Sequence, residues 1–335
     1  MSKSRWLLLV LCLLSLLSSN LLARKKLAQT GFQFLSVGTD ARATAMGEAY
    51  TTFEGNSSAL FYNPAGLASS KRMIDLSVNQ CEWIADINYI GANLSLNLAN
   101  GRYGIFGLSF LSVDYGEFLG TIVDPFTDAG FQDTGTFSPG AYLLGVGYAY
   151  QISDRFSIGA QIKYVSQSLG DITFPVTVSA DKVDTENRKY DLGVAAFDFG
   201  TLYRTGFKSL IFGMCVRNFS QEIRYEKEQF QLPLTFKIGF SINATDFVPA
   251  LKENHALLLT IDAVHPRSYP EYVSFGAEYK FMNFLALRGG YVSDMNDYNF
   301  TTGFGIQKFG FAIDYSYTPF DVFDDISRFS VRFSF

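Results

Sequence analysis

The sequence predicts an all-β protein: a 14-stranded antiparallel transmembrane β-barrel with a short N-terminal plug, or hatch, inside its lumen. Three observations predict it. Apolar residues alternate with small or polar ones along most of the chain after residue 73, the period of a strand with two unlike faces. There are 33 Phe, 19 Tyr and 29 Gly beside only 9 Pro in 335 residues, a mix that suits long aromatic strands better than a two-layer enzyme. The stretch 38–67, GTDARATAMGEAYTTFEGNSSALFYNPAGL, precedes every regular strand and does not alternate.

The chain opens with Lys3 and Arg5, continues as an apolar run from Trp6 to Leu17 and ends that segment in small and polar residues up to Ala23. This has the form of a secretory signal peptide, too short in its apolar part to be an ordinary membrane-spanning helix. Cleavage after Ala23 removes Lys3 and Arg5 and takes the formal charge from -5 to -7. Cys12 has no small residues ahead of it, which argues against a lipoprotein. Cys81 and Cys215 are too far apart for a metal motif or a disulfide framework and read as small strand residues. The negative charge, with no interleaving of basic and aromatic residues, excludes a nucleic-acid partner. The chain thus divides into a signal peptide (1–23), a plug segment (24–72) and a barrel (73–335).

Within the plug, Ala41, Ala43, Ala45, Met46, Ala49 and Tyr50 suit a short helix with Asp40 at its amino end, where a carboxylate accepts orphan backbone donors. Asn63-Pro64 breaks the chain, and Gly66 allows a turn that a side chain would obstruct.

The strands follow in order. Ile74, Leu76 and Val78 oppose Asp75, Ser77 and Asn79; Ile90, Ala92, Leu94, Leu96 and Leu98 oppose Gly91, Asn93, Ser95 and Asn97. Asn100-Gly101 signals a hairpin turn, after which Phe106, Leu108 and Phe110 oppose Gly107 and Ser109, with the alternation fraying at Leu111. Residues 111–139 read as a long loop. Tyr142, Leu144, Val146, Tyr148 and Tyr150 oppose Leu143, Gly145, Gly147 and Ala149; Ser153-Asp154 turns the chain into Phe156, Ile158, Ala160, Ile162 and Tyr164. A second long loop is read over 167–188 and a charged excursion over 218–229. Further strands are expected near 190–202, 208–217, 234–241, 256–264, 272–281, 284–291, 300–307, 309–317 and 329–335, with a tight Met282-Asn283 turn. Most approach the roughly 9 to 11 residues that cross a membrane obliquely, and the even count closes the sheet with both ends on one side.

Val37-Gly38-Thr39-Asp40-Ala41-Arg42-Ala43-Thr44-Ala45-Met46-Gly47-Glu48-Ala49, followed by Phe61-Tyr62-Asn63-Pro64-Ala65-Gly66-Leu67, resembles the opening of the PorV and PorQ family, part of the wider FadL-like (long-chain fatty acid transport protein) group. The resemblance implies a fourteen-stranded, multi-pass barrel of the outer membrane, plugged at its amino end, and two competing roles. PorV-like members act with a type IX secretion translocon and its cargo proteins. FadL-like members carry fatty acids or similar hydrophobic ligands.

For transport, Phe32, Phe34, Leu35, Met46, Phe53, Leu60, Phe61 and Tyr62, with Asn63 and Pro64 beside them, would line or gate an apolar pocket. For secretion, the acidic and aromatic stretches 114–137 and 181–188 would form an outer platform. Arg42 and Glu48 are expected to pair with inward-facing Asp314, Arg288, Lys163 or Lys237. Phe329, Val331, Phe333 and Phe335 share one face of the last strand and look like the signal read by the barrel assembly machinery, with outer-membrane lipid as their other partner. His255 and His265 are too isolated for a metal site. No cofactor and no enzymatic centre are expected, since no arrangement of catalytic residues can be identified.

Overall fold

The computed structural model describes residues 30–98, 100–178, 183–226, 228–248, 254–294, 298–321 and 323–335; the segment read as a signal peptide lies outside them. Among the described residues, fourteen antiparallel strands form one closed barrel. They are β1 Ile74–Glu82, β2 Asn88–Leu96, β3 Ile105–Asp114, β4 Gly140–Ser153, β5 Phe156–Val178, β6 Val183–Arg204 and β7 Ile211–Ser220 in the first half. β8 Thr235–Asn243, β9 His255–Pro266, β10 Tyr272–Phe281, β11 Leu285–Val292, β12 Phe300–Lys308, β13 Phe311–Thr318 and β14 Ile326–Ser334 complete it.

Period-two alternation sets the two faces. In β1, Asp75, Ser77 and Asn79 are buried in the lumen while Leu76 and Val78 are exposed on the outside. The same inversion of a soluble core recurs in β13, where Asp314 and Ser316 are buried and Phe311 and Ile313 are exposed. An apolar exterior with a polar interior is stable only against lipid.

Each strand pairs with its sequence neighbours, and β14 closes on β1 in the register Asp75↔Ser334 to Glu82↔Ser327. Phe335 extends that seam by exchanging hydrogen bonds with Ile74, N–H to carbonyl, at 2.9 and 3.1 Å. The side that holds this chain end and the short connections 154–155, 282–284 and 309–310 is the periplasmic side. Met282 and Asn283 both take positive φ, 51° and 52°, as the tight hairpin turn requires.

The structure departs from the sequence reading where strands outrun the membrane. Residues 111–139 are not a loop: β3 continues to Asp114, and Phe118–Val123 pairs with Phe131–Phe137 as a separate hairpin. Nor does the alternation fray at Leu111, because Leu111 and Val113 keep the inward positions, buried against an apolar part of the plug. The expected loop over 167–188 is mostly strand, since β5 and β6 run for 23 and 22 residues and pair up to Val178↔Val183. The membrane needs about ten of these; the remaining dozen or so, at about 3.3 Å each, project beyond it. Between Asn218 and Gln229, β7 runs on to Ser220 and Ile223–Arg224 pairs with Gln229–Phe230. The Asn100-Gly101 turn is wider than a two-residue hairpin: 97–104 separates β2 from β3, and Asn97 Oδ1 accepts from the Gly101 amide at 2.6 Å.

Because Phe335 supplies both seam hydrogen bonds and an aromatic contact with Phe333 at 3.6 Å between ring centroids, deleting it is expected to lower the yield of folded barrel several-fold. The heat-modifiable band of outer-membrane preparations on a denaturing gel measures this; an unchanged band contradicts it.

Candidate functional site

Residues 30–73 enter the lumen and are built of short turns. Asp40 caps Ala41–Thr44, its Oδ1 accepting from the Ala43 amide at 2.9 Å and its Oδ2 from Ser58 Oγ at 2.5 Å. The helix ends there and does not continue to Tyr50; positive φ at Gly47 and Glu48 redirects the chain. A second turn, Ala59–Tyr62, stops at Asn63, whose side chain caps Pro64–Ser69 by accepting from the Ala65 amide at 3.1 Å. The Asn63 amide group also donates to the Thr51 carbonyl at 2.8 Å and to the Thr201 carbonyl of β6 at 3.2 Å. Two glycines permit this packing: a Cβ on Gly66 would lie 2.3 Å from the Phe53 carbonyl oxygen, and one on Gly159 of the wall would lie 2.3 Å from the Ala65 nitrogen.

The polar inner wall is matched to the plug. Arg42 makes a bidentate pair with Glu278 of β10, both contacts 2.7 Å, and its guanidinium stands 4.7 Å from the Phe53 ring centroid. Glu278 also accepts from Arg288 Nε at 2.7 Å, and Arg288 Nη1 lies 2.8 Å from Asp314 Oδ1. Asp262 of β9 accepts the Tyr50 and Thr51 amides, each at 3.0 Å, and the Thr51 hydroxyl at 2.6 Å. Asp75 of β1 accepts the Ser57 amide at 2.7 Å. Ser330 and Thr301 receive the Ala41 and Gly47 amides at 2.8 and 3.0 Å. Near the periplasmic end Glu54 pairs with Arg204 at 2.9 Å; burial raises its carboxyl pKa, and the Arg204 charge opposes that rise.

The expected pairings of Arg42 and Glu48 are therefore corrected in part. Arg42 reaches Asp314 and Arg288 only through Glu278, which the sequence reading did not nominate. Glu48 lies 3.9 Å from Lys237, as expected, whereas Lys163 is committed to Asp198 at 2.8 Å and Asn218 Oδ1 at 2.6 Å. The strand period was a usable signal for Glu278 and Asp262, since both fall on inward positions.

All the nominated aromatic and apolar plug residues are buried. Phe61 and Tyr62 pack in one cluster with Phe34 and Leu35 against inward Leu111, Leu143, Val165 and Val194. Tyr50 stacks on Phe53 with centroids 3.7 Å apart, and Met46 is fully enclosed. Phe32 sits at the outer end, its φ of 56° held by packing on Phe34 and on Phe230 of the short outer hairpin, 5.9 and 6.2 Å between centroids. Tyr62 stays a neutral phenol: burial first, then the charges of Glu48 and Asp40, push its pKa well above the usual value. Pro64 abuts the β5 wall at Gly159.

Two cavities between plug and wall are small. The cavity bordered by Leu35, Glu48, Tyr62, Lys163 and Arg217 measures about 20 Å³, and one beside Arg42 and Lys280 about 10 Å³. Each admits about one water molecule. Among the described residues no group of His, Cys, Asp and Glu is arranged to hold a metal. Cys81 and Cys215 are both free and buried, and Cys215 Sγ donates to the Tyr62 carbonyl at 3.0 Å.

A closed fourteen-stranded barrel with a lipid-compatible exterior and an occupied lumen is an outer-membrane β-barrel of the plugged class. Residues 21–251 match the family of the type IX secretion system protein PorV, and the chain belongs to that family. Solved structures with a similar fold include the toluene transporter TodX of Pseudomonas putida, at 13% identity and a TM-score of 0.55 over 87% of this chain and 95% of that one. The CymD monoaromatic hydrocarbon channel aligns at 14% identity and 0.59 over 89% and 98%, and a Pseudomonas aeruginosa FadL homologue at 12% and 0.54 over 89% and 99%. At such identities the likeness is one of fold. No curated protein matches the sequence. The family and these neighbours are secretion or transport barrels.

Replacing Arg42 by Ala removes the bidentate tie between plug and wall and leaves the buried Glu278 carboxylate to Arg288 at 2.7 Å and Lys280 at 3.4 Å. The expected outcome is a lower melting temperature in detergent and raised leakage of small solutes in liposome-swelling assays. Unchanged melting and leakage would show that the plug is anchored elsewhere.

Proposed function

We propose that this barrel serves a type IX secretion system as a surface docking element, receiving secreted cargo at its outer end while the plug keeps the lumen shut. The observation that carries this reading is the contrast between the two: a lumen occupied by residues 30–73, with only about 20 Å³ in the cavity beside Tyr62 and Lys163, and strands that run well past the membrane on the outer side. The domain division at residues 23 and 72 and the assembly role of Phe329, Val331, Phe333 and Phe335 belong to the same reading.

The hairpin after β3 supplies the platform. Asp114, Glu117, Asp124, Asp128 and Asp133 carry its charge, and no Lys or Arg lies between Arg102 and Arg155. Phe118, Leu119, Val123, Phe126 and Phe131 are exposed on it. Apolar side chains held on a paired scaffold above the membrane suit protein recognition. The translocon would hold the barrel while cargo meets this outer face.

Hydrophobic transport is favoured by the shared fold with hydrocarbon channels. Ligand sites, however, measure roughly 300–1,000 Å³, so uptake through this lumen requires the plug to move. Phe32, Phe34, Met46, Phe53, Phe61 and Tyr62 would then become the pocket lining.

Replacing residues 117–137 by a short Gly-Ser linker is expected to abolish surface delivery of cargo while leaving barrel abundance unchanged, as read by whole-cell immunolabelling and by the heat-modifiable band. Normal delivery would remove the platform from the mechanism. Saturable binding of a fatty acid or monoaromatic compound to the intact protein would favour transport instead.

A further inference from the structure

The lipid-facing wall is not uniformly convex. One groove of about 580 Å³ crosses β2 to β5 where the small Ala92 leaves a hollow between Leu94, Leu108, Leu144 and Ile162. A second, of about 420 Å³, lies around Ala160, walled by Tyr148, Phe199, Met214 and Phe236. Both are open to the lipid, and the large apolar side chains that wall them point away from the lumen.

Each groove runs toward cations on the periplasmic rim. The first reaches Leu76 and Leu94, each two residues from the periplasmic end of its strand. At that rim the β2–β3 connection carries exposed Arg102, its guanidinium 5.5 Å from the Tyr103 ring centroid. The Tyr148 hydroxyl donates to the Tyr103 carbonyl at 2.9 Å, which ties this turn to β4 between the two grooves. The second groove reaches Ile158, two residues into β5. On the periplasmic rim of the same strands are Arg155, in the β4–β5 turn, and Lys208, in the β6–β7 connection, its ammonium 5.9 Å from the Phe247 ring. Among the described residues of these connections, and of the β8–β9 connection that carries Phe247, the acids are Asp154 and Asp246, and Asp246 Oδ2 accepts from the Ser209 amide at 3.0 Å.

We infer that these two grooves, each with its periplasmic cations, are binding sites for an anionic diacyl phospholipid of the periplasmic leaflet. The acyl chains lie in the grooves, and the phosphate meets Arg102 at one and Arg155 with Lys208 at the other. Basic side chains at a bilayer surface attract anionic headgroups. The Tyr103 and Phe247 rings beside Arg102 and Lys208 hold those two cations at headgroup level. A groove fixed in a rigid sheet gives the acyl chain a shape to fit, which a smooth wall does not. The inference concerns the wall and holds whether the barrel docks cargo or carries a ligand.

The test uses the full protein in nanodiscs made from equal amounts of phosphatidylglycerol and phosphatidylcholine, released and analysed by native mass spectrometry. Wild type is expected to retain phosphatidylglycerol in preference to phosphatidylcholine. Arg102→Gln with Lys208→Gln is expected to reduce that preference about fivefold for each charge removed. Ala92→Leu with Ala160→Leu fills the hollows and is expected to reduce retention of both lipids while keeping the headgroup preference. The heat-modifiable band confirms folding of each variant. No preference in wild type, or retention unchanged in either folded variant, overturns the inference. Displacement of the lipid by soluble glycerophosphoglycerol also overturns it, because that would mark a site for a free phosphate ester and not for a lipid.

Discussion

In lipid, every backbone N–H and C=O of a spanning segment needs a partner within the protein, and a sheet meets that demand only by closing on itself. Closure through the β1–β14 register governs the rest of this molecule. It removes the edges, forces apolar side chains outward and encloses a lumen whose wall is left with the polar half of each strand. Fourteen strands make that lumen too wide for wall side chains to fill. Residues 30–73 fill it.

The filling is specific because the wall is polar. An apolar plug would take from Asp75, Asp262 and Glu278 the donors that the plug now gives them, and leaving a buried charge short of hydrogen bonds is costly. The plug instead turns its backbone amides toward Asp75 and Asp262 and its one buried guanidinium toward Glu278. Buried pairs of this kind return little net stability over an apolar filling. What they supply is position, since one placement of the plug brings donors to all three carboxylates at once. Apolar packing is confined to the sector where Leu111, Leu143, Val165 and Val194 face Phe61 and Tyr62.

The same architecture divides the molecule along its axis. The middle is a cylinder occupied by residues 30–73. The outer end carries the freedom that the membrane denies, because strands that leave the lipid no longer need an apolar face. Beyond about residues 170 and 190, β5 and β6 accordingly lose the alternation of buried and exposed positions and are half-buried or exposed on both sides, and the hairpin after β3 acquires its acids there.

The sequence alone determined the sheet, its closure and the sign of its two faces, because period-two alternation is a local property and lipid leaves no other use for an apolar exterior. It also determined the plug's internal turns: Asp40 as a cap, the break at Asn63-Pro64 and the contact that needs Gly66 all lie within a few residues of their partners. The outer hairpins were illegible for the complementary reason. Once a strand leaves the membrane its alternation is lost, and Asp, Gly and Thr in 114–137 read as loop although cross-strand pairing makes them sheet. Tertiary structure alone chose Glu278 for Arg42 and Asp198 for Lys163. Period two shows which residues face the lumen, but which of them meet depends on strand order, stagger and the depth of the plug, and these are fixed only when the barrel closes around it.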